Sequence, residues 1–232
     1  MRNIIGTEVK KSLSVIAGMA ALAGLLAFSA CKPPEYIRYN SDFGDFTVEV
    51  PWGWNVYLDG TGAADFYNYT FVGPFEPDFL HGVPSLSIRW YGNNEFHRLP
   101  DGRLERYASA DDFIVQTLRD VYGPEHVLVT PTKDDPKEIQ RISVSGWEGK
   151  HFIVVAPGDI PADNKFGTRV EKDGARTAVL RQHDYVILPM DTGFYVLVYP
   201  ATKEGYDRYL KRFGRMVKTF KALKDGPVGP KL

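Results

Sequence analysis

The chain has 232 residues, of which 44% are hydrophobic, 25% charged and 13% aromatic, with a formal net charge of −1. That composition excludes a disordered chain, and the length, less a leader, suffices for one sizeable core. The balance is −3 once residues 1–30 are set aside, which argues against nucleic acid as a partner, because a phosphate-tracking surface needs a cationic excess or a basic stripe.

The N-terminus opens with MRNIIGTEVKK, a positive flank, followed by 19 residues without a charge, Ser12 to Ala30. The run ends in the small pair Ser29-Ala30, immediately before Cys31, the only cysteine. Charge on one side, an apolar stretch and small residues at the end predict a secretory signal peptide over 1–30, cut between Ala30 and Cys31. The segment from Ala27 to Cys31 resembles the lipobox of bacterial lipoproteins, with Phe28 where that family usually has Leu. The resemblance implies that Cys31 carries diacylglycerol on its sulfur, so that the partner of the N-terminus is a membrane. An uncleaved anchor is the competing reading, since 19 residues nearly span a bilayer, but Gly18, Gly24 and the many alanines weaken it. Lys32 does not resemble the Asp that holds enteric lipoproteins at the inner membrane, so the periplasmic face of the outer membrane is favoured. A single cysteine forms no internal disulfide, which suits an oxidising envelope. Pro33 and Pro34 make residues 31–35 a short stiff tether.

The folded part, 36–224, reads as strands, a helix, more strands and a closing helix. Phe46–Val50 alternates and stops at Pro51; Asn55–Leu58 follows the turn; Tyr67, Tyr69 and Phe71 alternate with polar neighbours; Ser85–Tyr91 is a further strand. The period then changes: Phe113, Ile114, Leu118, Val121 and Tyr122 recur at helical spacing between Ser109 or Asp111 as N-cap and Gly123-Pro124 as stop, predicting a helix over 111–122. Strands follow at His126–Thr130, Ile139–Val144 and Trp147–Val155, the last two joined by a turn at Ser145-Gly146. Residues 157–176 read as an exposed excursion with a small hairpin turning at Asp173-Gly174. Thr177–Leu188 and Phe194–Tyr199 form a hairpin across PMDTG. Tyr206, Tyr209, Leu210, Phe213, Val217 and Phe220 mark one face of a helix opened by Thr202. Residues 225–232 are expected to fray.

This order implies an α+β fold, an open antiparallel sheet flanked by helices. At PWGW (Pro51–Trp54) and the block GFYVLVYPATKEGYDRYLKRFGRMVKTFK (Gly193–Lys221) the chain resembles the PsbP-like family, with which DcrB-like envelope proteins are grouped. The resemblance implies an α/β/α sandwich that presents loops and a sheet face to other proteins, with no family-wide catalytic residues.

Chemical motifs are sparse. Asp191-Thr192-Gly193 matches the D-T-G of aspartic proteases, but one copy does not make a carboxylate pair, so the reading is a hairpin turn with Gly193 at positive φ. DGTGAAD (Asp59–Asp65) lacks the third glycine and the helix of a phosphate cradle and is read as a connection. His81, His97, His126, His151 and His183 show no metal-ligand spacing, so neither a metal nor a cofactor is expected. Trp52, Trp54, Trp90, Tyr91 and Trp147 are the candidate ligand-binding residues, as rings that offer apolar faces to a lipid or sugar; the competing reading is that they fill the core. Two expectations result. The favoured one is a non-catalytic envelope lipoprotein that binds or assembles another envelope protein through loops such as 157–176. The alternative is a small apolar or carbohydrate ligand held against the sheet. Hydrolysis through Asp191 is set aside.

Overall fold

The computed structural model describes residues 33–60, 65–74, 83–98, 102, 104–157, 169–172, 175–178, 180–224 and 226. The leader, Ala30 and Cys31 lie outside the described residues, as does the tail apart from Gly226. Tyr36–Leu232 forms one compact unit. In chain order it holds strands β1 (Tyr36–Asn40), β2 (Phe46–Pro51), β3 (Asn55–Asp59), β4 (Phe66–Val72), β5 (Ser85–Gly92), β6 (Phe96–Arg98) and β7 (Leu104–Arg106). Helix α1 (Ala110–Gln116) runs into a π-helical turn, Thr117–Val121. Then come β8 (Val127–Val129), β9 (Ile139–Val144), β10 (Trp147–Pro157), β11 (Arg169–Lys172), β12 (Ala175–Ala178), β13 (Leu180–Pro189), β14 (Gly193–Thr202), helix α2 (Tyr206–Thr219) and β15 (Lys221–Ala222).

The central sheet runs β3-β4-β5-β14-β13-β10-β8, and β9 shares the outer edge of β10 with β8. Its pairings are antiparallel. A smaller sheet, β1-β2-β15, packs over one face together with α2, while α1 covers the other. The fold is therefore α+β, an antiparallel sheet flanked by helices. On β4 the alternation expected from the sequence holds, with Tyr67, Tyr69 and Phe71 buried. In β14, Gly193–Tyr199 are all buried, because both faces of this central strand are covered and the period-2 signal vanishes.

The α2 side holds the larger core, in which Phe46 stacks on Phe220 at 5.6 Å and the Trp90 ring meets Tyr195 edge-on at 4.9 Å. Burial of each such side chain stabilises by roughly 1.5–3 kcal/mol. The α1 side is built on Phe113, Ile114, Phe152, Ile187 and Phe194. A buried carboxylate braces the first of these layers: Asp45 accepts hydrogen bonds from Ser41, Tyr67 and Tyr195, joining the β1–β2 connection to the sheet.

The structure departs from the sequence reading at identifiable points. Ser109 does cap α1, accepting from the Asp112 amide at 3.2 Å, but the helix changes to π winding at Thr117. The wider turn rotates the apolar stripe, so Val121 is exposed while Tyr122 is buried. The strand expected over 177–188 is divided: Ala175–Ala178 pairs with β11 as a separate hairpin, and only Leu180–Pro189 enters the central sheet. The turn residues 173–174 of that hairpin lie outside the described residues. Thr202 ends β14 and accepts the Gly205 amide, so α2 starts at Tyr206. Strands β6, β7 and β15, of two or three residues, had no sequence signal, whereas β1 carries a short alternation, Ile37 and Tyr39 packing against the α2-side core, that the expected elements did not include. The turn at Ser145-Gly146 is as expected: both residues have positive φ, +52° and +88°, the requirement of a two-residue I′ hairpin joining β9 to β10.

Candidate functional site

Helix α2 buries Tyr206, Tyr209, Phe213 and Met216 against the sheet. Beyond that stripe, the flank carrying Leu210, Gly214, Val217 and Lys218 overhangs β9, β10 and β13 and leaves a cleft of about 390 Å³, whose sheet side is Ile142, Val144 and Val186. Gly214 lines the cleft without putting a side chain into it. A Cβ there would meet nothing within 4 Å, although glycine inside a helix costs about 1 kcal/mol relative to alanine. The size falls within the range usual for small-molecule sites, as does the mainly apolar lining with a few polar groups.

Two of those polar groups, His151 and Asp184, form a hydrogen-bonded chain with Tyr206 behind them. His151 Nε2 lies 2.8 Å from Asp184 Oδ1, and the Tyr206 hydroxyl donates to Asp184 Oδ2 at 2.7 Å. Asp184 is 2% exposed, and both its oxygens are engaged. A carboxylate only accepts, so Nε2 carries the proton and, in the neutral ring, Nδ1 is the nitrogen with a lone pair outside that bond. Burial, followed by the charge and hydrogen bond of Asp184, pushes the Tyr206 phenol far above its ordinary value, so Tyr206 remains a donor. Ser145 donates to the Phe220 carbonyl, and among the described residues no hydroxyl or thiol bonds to the second nitrogen of His151. The arrangement orients a proton and a dipole at one end of an apolar cleft. Lys218 stands exposed at the other end, and no described carboxylate pairs with it.

The five aromatics singled out in the sequence are not brought together. Trp90 is buried in the α2-side core and Tyr91 in the α1-side core, because consecutive strand residues point to opposite faces. Trp54 packs edge-on against Tyr209 at 5.9 Å, whereas Trp52 and Trp147 are exposed, 53% and 36%, on separate elements. Gly193 is not at positive φ. It is required by close approach, since a Cβ would collide with the Tyr91 carbonyl and the Trp90 ring. The DTG segment is indeed a turn, closed by the Met190 amide on the Gly193 carbonyl at 2.8 Å. Asp59 ends a strand and Phe66 begins the next, so DGTGAAD joins β3 to β4, with 61–64 outside the described residues.

The histidines are dispersed: His97 meets Glu105, His126 the Gly123 carbonyl, His151 Asp184 and His183 the Tyr122 hydroxyl, while His81 lies outside the described residues. Among the described residues no three potential ligands cluster, and no helix is long and apolar enough to cross a membrane. His151, Asp184 and Tyr206 had gone unnoticed as a group because 33 residues separate the first two. The signal was an acid directly ahead of the apolar run YVIL, buried where aspartate ordinarily is not.

No protein family matches the chain, and no curated protein matches it. Among solved structures it is similar to a crystal structure from Bacteroides thetaiotaomicron VPI-5482, at 13% identity and a TM-score of 0.41 over 83% of this chain. The match spans half the length, 50%, of that larger chain. It is also similar to the solution structure of cyanobacterial PsbP (CyanoP) from Synechocystis sp. PCC 6803, at 13% identity and a TM-score of 0.46, covering 83% of this chain and 95% of that one. Neither likeness carries a conclusion about activity, and the α+β class rests on this chain's own strands and helices.

Proposed function

We propose that the chain is a lipid-anchored cell-envelope protein, tethered through Cys31, whose folded body binds a small apolar ligand without transforming it. The cleft beneath α2 carries this reading: an apolar trough lined in part by a helical glycine, with an oriented imidazole at one end. The run of 19 uncharged residues before Ser29-Ala30-Cys31 supports the anchor, and Lys32 favours the outer membrane. Native mass spectrometry of the protein extracted from its own membranes is the test. A retained small molecule in the wild type, absent from a folded Gly214→Leu variant, supports the reading; a wild-type protein that never carries one overturns it.

A second reading, assembly with another envelope protein, draws on β3. Among the described residues this strand pairs only with β4; it is exposed at all five residues and presents Val56, Tyr57 and Leu58 at 40–58% exposure. An unshielded apolar edge accepts an added strand through its free main-chain groups. A reproducible crosslinked partner that is lost on Tyr57→Lys would favour it.

A further inference from the structure

The distribution of charge along the cleft narrows the ligand class, and this step rests on the reading of the cleft as a ligand site. Its two ends differ. At the start of α2 the negative charge of Asp184 is buried and held by His151 and Tyr206. Near the end of α2 the exposed Lys218 lines the cleft, with no described carboxylate paired with it. Between them the walls are Leu210, Phe213, Val217, Val144 and Val186, without a charged group. Leu210 and Lys218 are eight positions apart, so the trough is about 12 Å long at the helical rise, room for on the order of ten carbons of a staggered chain.

We infer that the cleft takes a single-chain fatty-acid anion of medium length, its carboxylate against Lys218 and its chain running under Gly214 toward His151. An anionic head fits no other position, because at the Asp184 end it would face a like charge in a poorly hydrated setting. A cationic amphiphile is disfavoured by Lys218 for the same reason.

The test uses the full chain in phosphatidylcholine nanodiscs with a diazirine-bearing decanoic acid, and the decanol carrying the same group, followed by peptide mapping. The expected result is labelling of residues 206–219 by the acid, displaced by unlabelled carboxylic acids whose potency rises about fourfold per methylene and levels off once the trough is full. Lys218→Gln is expected to weaken labelling by the acid roughly fivefold, the upper range for an exposed ion pair, and to leave the alcohol unchanged. Equal labelling by acid and alcohol, with no effect of Lys218→Gln, overturns the assignment of an anion while leaving the cleft a ligand site. Labelling that ignores Gly214→Leu, or falls outside 206–219 with both probes, overturns the cleft itself. The melting temperature of each variant confirms that a loss is not unfolding.

Discussion

The Tyr195 hydroxyl donates to the buried Asp45 carboxylate at 2.7 Å, although 150 positions separate the two residues in the chain. Tyr67 and Ser41 also donate to Asp45, so one carboxylate with no exposed surface gathers β4, β14 and the loop between β1 and β2. Burial, then the neighbouring Tyr195 and Asp45, raises the Tyr67 phenol far above its ordinary value, so its hydroxyl stays a donor. Tyr195→Phe removes one charge-assisted bond and is expected to cost about 1.5–3 kcal/mol in urea unfolding. Asp45→Ala leaves three hydroxyls without their acceptor and is expected to cost more. A change below about 0.5 kcal/mol in both would show that the brace is ornamental, the range usual for surface substitutions.

Two glycines predict opposite signs. Gly214→Ala adds a methyl into open space on a helix and is expected to stabilise by about 1 kcal/mol. Gly193→Ala drives a methyl into the Tyr91 carbonyl and the Trp90 indole and is expected to destabilise by about 1–3 kcal/mol. Thermal unfolding of the two variants side by side is the check, and equal signs would contradict the packing described.

His183 predicts an acid limb of stability. Burial first, then the charges of Arg181 and Arg89, push its pKa down to about 3, and its Nδ1 shares a hydrogen bond with the Tyr122 hydroxyl at 2.6 Å. In the unfolded chain the ring protonates near the ordinary value of about 6.5. Between those two values the unfolded state binds the extra proton. The contribution is therefore complete above pH 6.5 and is lost as pH falls toward 3, by up to about 1.4 kcal/mol per unit. His183→Asn keeps a hydrogen-bond partner for Tyr122 without the titration and should flatten the slope in that window. An unchanged slope in denaturant midpoints measured from pH 7 to 4 would assign it to other groups.

Lipid attachment has a direct chemical readout. Metabolic labelling with an alkyne fatty acid is expected to mark the wild-type chain and to leave Cys31→Ala unmarked and unanchored. Label retained in the variant, or intact unacylated protein recovered from the cytosol with its leader in place, would refute the tether.

Much of the secondary structure was legible because its signals are local. The alternation of Tyr67, Tyr69 and Phe71, the hairpin at Ser145-Gly146 and the spacing of Tyr206, Tyr209 and Phe213 each lie within one element and correspond to buried residues or positive φ in the structure. The π turn was not legible, because α and π winding use the same residue types. It shows only in where Tyr122 ends up, within 2.6 Å of both His183 and Tyr185. The aromatic residues were legible as rings but not by location: adjacent Trp90 and Tyr91 belong to different cores, which depends on both faces of β5 being covered.

The amino-acid order by itself determined the alternating strands, the amphipathic closing helix and the α+β class, since these follow from the spacing of apolar side chains over a few residues. Tertiary structure alone decided that His151, Asp184 and Tyr206 meet and that Gly214 opens onto a cleft. Such contacts depend on which strands lie side by side and on how a helix crosses them, and that is set by the summed packing of the whole core rather than by any stretch of neighbouring residues.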